Sequence, residues 1–363
     1  MQMTSRERLT RLFEGRDIDR TPIWLLFPWH RLNCYADVYN IDVYKPIIRR
    51  IEAGDVDSFD RRGVKPGFCY NANPDIVMHN TSPNETIVTA PGLELRKALT
   101  KTDGITRVKF FVDEPEQLKD ILAVPYVAPK PPLEILRKEK EEFGDRGLFM
   151  LDIGDPLGPL YNLMSVTDFA MATATDYDLL LEFVDEMERR CLELYRYFLE
   201  ADVADCFFIV GTEFAGPPLV SPAKFEEMSV RYVKKICDLI RSYGKKSIVH
   251  YHGNLYDIRN GMKTIGPDAL HTIEAPPIGN CTLTQAREVL GKMILIGNVQ
   301  YDDMIRLPKE EIEQQVKMAM AETDGKHFIL SPTAGPYEPT LDQHAIKNYL
   351  AFIDAGLKYG RQN

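Results

Sequence analysis

The sequence lacks most of the features that mark specialised classes of protein. No run of about 18 apolar residues occurs, so we expect no membrane span, and the N-terminal segment MQMTSRERLTRLFEG has no apolar signal-peptide core. The six cysteines form no C-x-x-C pair, which excludes a cysteine-rich structural zinc module and predicts reduced thiols. These absences predict a cytoplasmic protein.

No segment carries the basic stripe of a nucleic-acid-binding protein. The formal net charge is −10, and lysines and arginines are scattered among acidic residues, which argues against nucleic acid or an anionic membrane as a partner. No low-complexity tract, linker or repeat of fixed period interrupts the chain. With 44% hydrophobic and 27% charged residues the composition is that of a globular protein, and we expect one domain over residues 1–363.

The sequence does contain a regular alternation of short apolar strands with amphipathic helices, which is typical of parallel sheets. The predicted strands are Pro22–Leu26, Val56–Phe59, Leu148–Asp152, Cys206–Val210, Ser247–His250, Leu270–Ile273, Met293–Gly297 and Phe328–Ser331. The predicted helices include Asp176–Leu199, Pro222–Tyr243, Leu283–Leu290, Lys309–Glu322 and Leu341–Tyr359. Eight strands in this order predict a (β/α)8 TIM barrel of the α/β class, preceded by an N-terminal helix. The alternative is an open doubly wound sheet, but no G-x-G-x-x-G turn follows the first strand.

One region departs from this alternation. Residues 60–145 contain alternating apolar segments at Thr86–Ala90, Leu93–Leu99 and Thr106–Phe111, followed by a proline-rich stretch. The pattern predicts a β-ribbon inserted into the barrel. Two roles are open for it: it caps the barrel and builds part of the substrate pocket, or it only fills the N-terminal end.

Polar residues follow seven of the eight predicted strands, where barrels of this kind have their active sites. His250 and His252 give the sharpest signal, since residues two apart on a strand project to the same face. Two imidazoles with carboxylates nearby suit zinc, and neighbouring strand ends offer Glu274 or Glu213 as the third ligand. Two alternatives are open: the histidines only hydrogen-bond polar groups, or Glu213 and Glu274 act as acid and base in a metal-free site.

Other strand ends supply further candidates. Asp152 and Asn298 are candidate catalytic residues, each with an alternative role in a turn. Four residues are candidates for substrate binding: His30, Arg31, Asp155 and Tyr337. His30 and Arg31 are placed to meet an anionic group. Structural roles are assigned to the histidines that have no motif around them: His79, His271, His327 and His344.

Five segments resemble the uroporphyrinogen decarboxylase superfamily: RERLTRLFEGRDIDRTPIW, GTEFAGPPLVSPAKFEEMSVRYVKKI, IVHYHGN, ILIGNVQ and ILSPTAGPYEPTLDQHAIKNYLAFIDAG. The resemblance covers nearly the whole chain in the same element order. True uroporphyrinogen decarboxylases carry an R-Q-A-G-R segment after the first strand that grips the substrate's propionates, and residues 26–31, LFPWHR, stand in its place here. The chain resembles more closely the corrinoid-dependent methyltransferase branch, which shares the segment PGLELRK at residues 91–97.

Members of that branch bind zinc through an H-x-C pair after strand five and a distant cysteine in a P-G-C-G segment. By this resemblance His250 corresponds to the family histidine, His252 replaces the first cysteine, and Ala334 replaces the second. The loss of both thiolates makes the site harder and favours Lewis-acid activation of an oxygen. The resemblance therefore implies a zinc methyltransferase that demethylates a methoxylated or methylated small molecule, with transfer of the methyl group to a corrinoid carried by a partner protein.

Two other functions are open. One is a decarboxylase or lyase of a small carboxylic acid, in which His30 and Arg31 hold the carboxylate and Asp152 transfers a proton. The other is a non-catalytic binding barrel. A homodimer is expected only as the commonest default among oligomers.

Overall fold

The computed structural model describes residues 3–102 and 105–361. The helices are α1 (Ser5–Phe13), α2 (Lys45–Glu52), α3 (Gln117–Ala123), α4 (Glu134–Phe143), α5 (Gly158–Leu163), α6 (Val166–Thr175), α7 (Tyr177–Glu200), α8 (Pro222–Phe225), α9 (Arg231–Ser242), α10 (Leu255–Ile265), α11 (Leu283–Leu290), α12 (Tyr301–Arg306), α13 (Lys309–Thr323) and α14 (Gln343–Tyr359). The strands are β1 (Ser58–Gly63), β2 (Val77–Ser82), β3 (Glu85–Ala90), β4 (Leu93–Thr102), β5 (Ile105–Lys109), β6 (Gly147–Asp152), β7 (Cys206–Ile209), β8 (Lys246–His250), β9 (Ala269–His271), β10 (Ile294–Val299) and β11 (Phe328–Pro332).

Seven parallel strands form the central sheet, in the order β1-β6-β7-β8-β9-β10-β11. Each of them overlaps one of the predicted strands, because buried parallel strands are short continuous apolar runs that the sequence displays clearly. The predicted helices are present as well, although Pro222–Tyr243 is divided into α8, a π-helical turn at Glu226–Val230 and α9. The prediction of the α/β class is confirmed.

The prediction of a complete eight-stranded barrel is wrong in one respect. In the described residues the sheet has seven strands and is open, and the predicted strand Pro22–Leu26 is not among them. Ile23 forms one isolated parallel bridge to β11, and Trp24 forms one to the residue before β1, so the segment lies between the two edge strands without a ladder. Leu26 adopts a φ of +64°, which ends the extended conformation that a longer strand requires.

Helix α1 closes the amino ends of the strands and confirms the predicted N-terminal helix. Thr4 caps it by accepting a hydrogen bond from the backbone N–H of Glu7. Leu9 and Leu12 share one buried cluster with inward-facing residues of the sheet such as Phe59. Burial of this apolar surface holds the helix against the sheet, since each fully buried side chain of this size contributes roughly 1.5–3 kcal/mol.

A buried ion network lies beside this helix. Arg8 contacts Asp57 at 2.6 Å and Asp19 at 2.6 Å, and Arg20 contacts the other oxygen of Asp57 at 2.7 Å. Asp57 also accepts a hydrogen bond from the backbone N–H of Ile23 at 3.0 Å. The network ties α1, the 22–24 segment and the start of β1 together.

The insertion is a four-stranded antiparallel sheet in the order β2-β3-β4-β5, which we call the ribbon. Three of its strands match the predicted segments, whereas β2 was not predicted because all its side chains are exposed and show no apolar alternation. Val88, Leu93 and Leu95 are buried on one face, which packs against the main core. Among the helices of the described residues, none has the length and apolarity needed to cross a bilayer.

Candidate active site

The carboxyl ends of the seven parallel strands meet at one end of the sheet, which we call the mouth. Strand β8 ends at His250, its neighbour β9 ends at His271, and these two residues are partners in the strand register. His252 follows His250 by two residues. The ring centroids of His250 and His252 are 4.6 Å apart, and those of His250 and His271 are 4.9 Å apart with nearly parallel planes. The structure therefore brings three imidazoles together, including one that the sequence analysis had assigned a structural role.

Hydrogen bonds assign the protons of His250 and His271. Burial lowers the pKa of both residues, to about 3 for His271, so both are neutral near pH 7. Nε2 of His271 lies 3.3 Å from the carbonyl oxygen of Pro332, to which only an N–H can donate. Nδ1 of His271 is then an acceptor, and Nδ1–H of His250 donates to it at 2.8 Å. The remaining nitrogen of His250, Nε2, consequently carries a lone pair and no proton.

His252 has the opposite character. Its Nδ1 donates to Oε1 of Glu274 at 3.0 Å, and Oε2 of the same carboxylate accepts from the backbone N–H of Gly253 at 2.9 Å. Burial alone would lower the pKa of His252, but the hydrogen bond and charge of Glu274 raise it overall. Burial alone would raise the pKa of Glu274, but His252 lowers it overall. The carboxylate of Glu274 therefore favours the protonated form of His252, in which Nε2–H is a donor.

His250, His252 and Glu274, the predicted zinc ligand set, lie together, but the carboxylate of Glu274 is hydrogen-bonded to the ring of His252. Over residues 3–102 and 105–361, no group of three or more His, Cys, Asp or Glu side chains is arranged to hold a metal ion. Glu274 instead accepts the hydrogen bond from Nδ1 of His252. A carboxylate in this position orients a metal-binding histidine and does not bind the metal itself. The alternative third ligand, Glu213, accepts from the backbone N–H of Gly211 at 3.2 Å. The residues as arranged do not fit a zinc site with three protein ligands.

Arg61 was missed by the sequence analysis, although its positive charge contributes to lowering the pKa of both His250 and His271. It lies on β1, two residues after the buried Phe59, and therefore projects to the same inner face. Its guanidinium stacks 4.5 Å above the ring of Phe208. Nε donates to Asp152 at 3.0 Å, and Nη1 donates to the hydroxyl of Tyr35 at 3.1 Å. The predicted strand ends at Phe59. If its alternation of inward and outward side chains is continued by two residues, Arg61 projects inward at the mouth.

A cavity of about 660 Å³ adjoins this cluster and has the size of a small-molecule site. Asp152 and Glu213 line it from the strand ends, and Met78, Lys97 and Phe111 line it from the insertion. Of the two roles open for the insertion, the structure supports the one in which it builds part of the pocket. Among the described lining residues neither His250 nor His252 appears, so the imidazoles lie beside the cavity and Glu213 lies between.

Asp155 and Glu213 form a second acidic group, of which Glu213 lines the cavity and Asp155 is not among the described lining residues. Asp155 is fully buried, and its Oδ1 accepts from the backbone N–H groups of Leu157 and Gly158 at 2.9 and 3.0 Å. Burial and the neighbouring Glu213 raise the pKa of Asp155, and burial also raises the pKa of Glu213. Gly211 has a φ of +132°, and a Cβ there would lie 2.2 Å from Asp155, so only glycine fits. Asp155 therefore organises a turn, which differs from its predicted contact with substrate.

The remaining candidates are spread around the mouth. His30 is held by Asp60, through its backbone N–H at 2.8 Å and its ring Nδ1 at 2.6 Å. Arg31 is exposed and, within the described residues, does not line the cavity. Asn298 is half-buried on β10, and Tyr337 is exposed with its ring 5.7 Å from that of Tyr35. The predicted joint grip of His30 and Arg31 on an anion is not present, since His30 already has a carboxylate partner.

Comparison with known proteins adds a family and a fold. The chain matches the solved structure of a methyltransferase from Methanosarcina mazei with a TM-score of 0.63 and 19% identity over 99% of each chain. A B12-independent methionine synthase from Shewanella sp. W3-18-1 matches with a TM-score of 0.44 and 11% identity over 72% of this chain and 73% of that one. No curated protein matches the sequence. The family model for uroporphyrinogen decarboxylase (URO-D) matches residues 100–358, and the chain therefore belongs to the uroporphyrinogen decarboxylase family.

Proposed function

We propose that this protein is a methyltransferase that takes the methyl group from an ether oxygen of a methoxylated small molecule and delivers it to the cobalt(I) corrinoid of a partner protein. The observation that carries the proposal is the side-by-side pair at the end of β8, in which His252 presents an N–H and His250 presents a lone pair. Membership of the URO-D family and the likeness of fold to a methyltransferase support this choice over other barrel functions.

The chemistry requires an acid at the departing oxygen. An ether is a poor leaving group because cleavage of its C–O bond would release an alkoxide or phenolate. His252, held as an imidazolium by Glu274, donates its Nε2 proton to that oxygen as the bond breaks. The methyl group leaves without the bonding electrons, the electron pair of cobalt(I) forms the new bond, and the demethylated alcohol or phenol and neutral His252 remain. General acid catalysis of this kind typically contributes 10²–10⁴-fold.

His250 and Arg61 position the reactants in this scheme. Nε2 of His250 accepts a hydrogen bond from a hydroxyl group of the substrate and so fixes the ether oxygen beside His252. Arg61 holds Asp152 at the cavity wall and keeps that carboxylate from competing for the imidazolium. The zinc ion stays a prediction, and no step here depends on it.

The decarboxylase alternative draws less support. It needs His30 and Arg31 on one carboxylate, yet His30 faces Asp60 and Arg31 is exposed. Its proton-transfer residue, Asp152, is paired with Arg61. Release of carbon dioxide from the same substrates measures this alternative directly.

The test uses free cob(I)alamin as the methyl acceptor and methoxybenzoates with a hydroxyl group beside the methoxy group as donors, followed by the absorbance of methylcobalamin. We expect methyl transfer by the wild type and a loss of about 10²–10⁴-fold in the His252→Gln variant. His79→Gln is the matched control, since His79 is exposed on β2, and should retain wild-type turnover. Full activity of His252→Gln, or carbon dioxide release without methyl transfer, would overturn the proposal, and elemental analysis of the same samples tests the zinc prediction.

A further inference from the structure

One wall of the cavity carries a positive charge that the proposed chemistry does not use. Lys97 lies on β4 of the ribbon, and within the described residues it is the single lysine or arginine that lines the cavity. Asp152 and Glu213 line the cavity where it meets the strand ends. The cavity is therefore polarised, with carboxyl groups at the strand ends and an ammonium group on the ribbon.

The register of the ribbon explains why this lysine faces inward. Leu93, Leu95 and Lys97 alternate along β4 and share one face, and both leucines are buried. Arg96 points to the opposite face, where it pairs with Glu85 of β3. The sequence thus places two adjacent cations on opposite faces, and only the one on the inner face reaches the cavity.

Lys97 is held in place by aromatic rings and not by an acid. Its Nζ lies 5.0 Å from the ring centroid of Phe110 and 5.9 Å from that of Phe111, within the range of cation–π contacts. Across residues 3–102 and 105–361, no Asp or Glu oxygen lies within 4.0 Å of it. An ammonium group that is half-buried and has no carboxylate partner favours an anionic ligand, because the ligand supplies both a hydrogen-bond acceptor and a negative charge.

We infer that Lys97 forms a subsite for a carboxylate of the substrate, so that the substrate is a small aromatic acid with its methoxy group toward the strand ends. One lysine suits a singly charged carboxylate, and Phe68, Phe111 and Phe214 supply apolar walls for a ring between the two ends. Among the described lining residues no cation lies at the opposite end, so the cavity favours the orientation in which the carboxylate faces Lys97.

The experiment measures binding without turnover, by titration calorimetry with 4-methoxybenzoate and with its neutral isostere 4-methoxybenzamide. We expect the Lys97→Met variant to bind the acid about ten- to a hundred-fold more weakly and to bind the amide unchanged, as the loss of one charged hydrogen bond predicts. Lys97→Arg should recover most of the affinity. Lys101→Met, which removes an exposed cation four residues along the same strand, is the matched control and should bind both probes like the wild type.

Equal binding of the acid by the wild type and Lys97→Met would overturn the inference, and so would the absence of acid binding by the wild type. An equal loss of acid and amide binding would also overturn it, because Lys97 would then only cover the phenylalanine rings. The inference rests on the proposed function, which supplies the identity of the transferred group, a methyl group. Because no methyl group moves in the titration, the subsite and the proposed function can fail separately.

Discussion

The two ends of the sheet treat buried polar groups in opposite ways. At the amino end, Arg8 and Arg20 share Asp57 at 2.6 and 2.7 Å, so the charges lie in short pairs. At the mouth, His250 and His271 are kept neutral by burial, and the pKa of Asp155 is raised. Paired charges fix the fold because breaking one pair leaves an uncompensated charge, whereas groups with shifted pKa values are the ones that exchange protons in catalysis. The contrast separates an end that stabilises from an end that reacts.

Beyond the substitution of His252 itself, the largest effect on the reacting end is expected from Glu274→Gln. The neutral amide no longer stabilises the imidazolium, so the pKa of His252 falls and turnover at pH 7 drops by about 10²-fold. His252 is protonated only below its pKa, so the high-pH limb of the rate profile should move to lower pH. The profile of kcat/KM against pH measures this shift, and an unmoved limb would show that Glu274 does not set the protonation of His252.

The largest effect on the stabilising end is expected from Asp57→Asn. Removing the shared carboxylate leaves the buried guanidinium of Arg20 without a carboxylate partner and that of Arg8 with Asp19 alone, and it should lower the free energy of unfolding by about 3–5 kcal/mol. Activity per folded molecule should not change. Asp354→Asn, which breaks an exposed pair with Arg50, is the control and should cost about 1 kcal/mol or less. A similar cost for both variants in urea unfolding would remove the contrast between the two ends.

A pH-dependent effect is expected from Asp155→Asn. Burial and Glu213 raise the pKa of Asp155 above its ordinary value, so this residue's contribution to stability is complete below about pH 3.8 and is lost as the pH rises through the folded-state pKa. Asparagine keeps an oxygen for the N–H groups of Leu157 and Gly158 but cannot ionise. The variant should therefore lose less stability than the wild type between pH 4 and pH 8 in urea unfolding. Parallel curves would show that Asp155 does not take up this proton.

The smallest effect is expected from Arg31→Ala. Arg31 is exposed and lies outside the cavity lining as described, so KM should change by about two-fold or less, as for most surface substitutions. A larger rise in KM, measured in the methyl-transfer assay, would restore the predicted anion contact at this position and would extend the reacting end beyond the cavity.

The sequence predicted the strands well and the site only in part, for a physical reason. Buried strands such as β6 and β10 are continuous apolar runs, which a local pattern reveals. His271 had no motif around it, and its contact with His250 arises from pairing between neighbouring strands, which a local pattern does not contain. Glu274 was placed correctly at a strand end, but its role as acceptor for His252 depends on side-chain geometry. Within the 22–26 segment, Ile23 and Trp24 pair with the sheet edges only through isolated bridges, and a positive φ at Leu26 ends the extended backbone, which the apolar sequence does not reveal.

The ribbon lies at the mouth but outside the central sheet, and its position has a consequence for how the protein can change. It enters between β1 and β6 and contributes one wall of the cavity, while the imidazoles sit on β8, β9 and the loop after β8. Substitutions in the ribbon can therefore alter which molecule is admitted without moving the groups that exchange protons. Under the proposed function and the Lys97 subsite, selectivity and reactivity depend on separate stretches of the chain, so exchanging residues 77–109 is expected to change the substrate and to leave the groups on β8 and β9 in place.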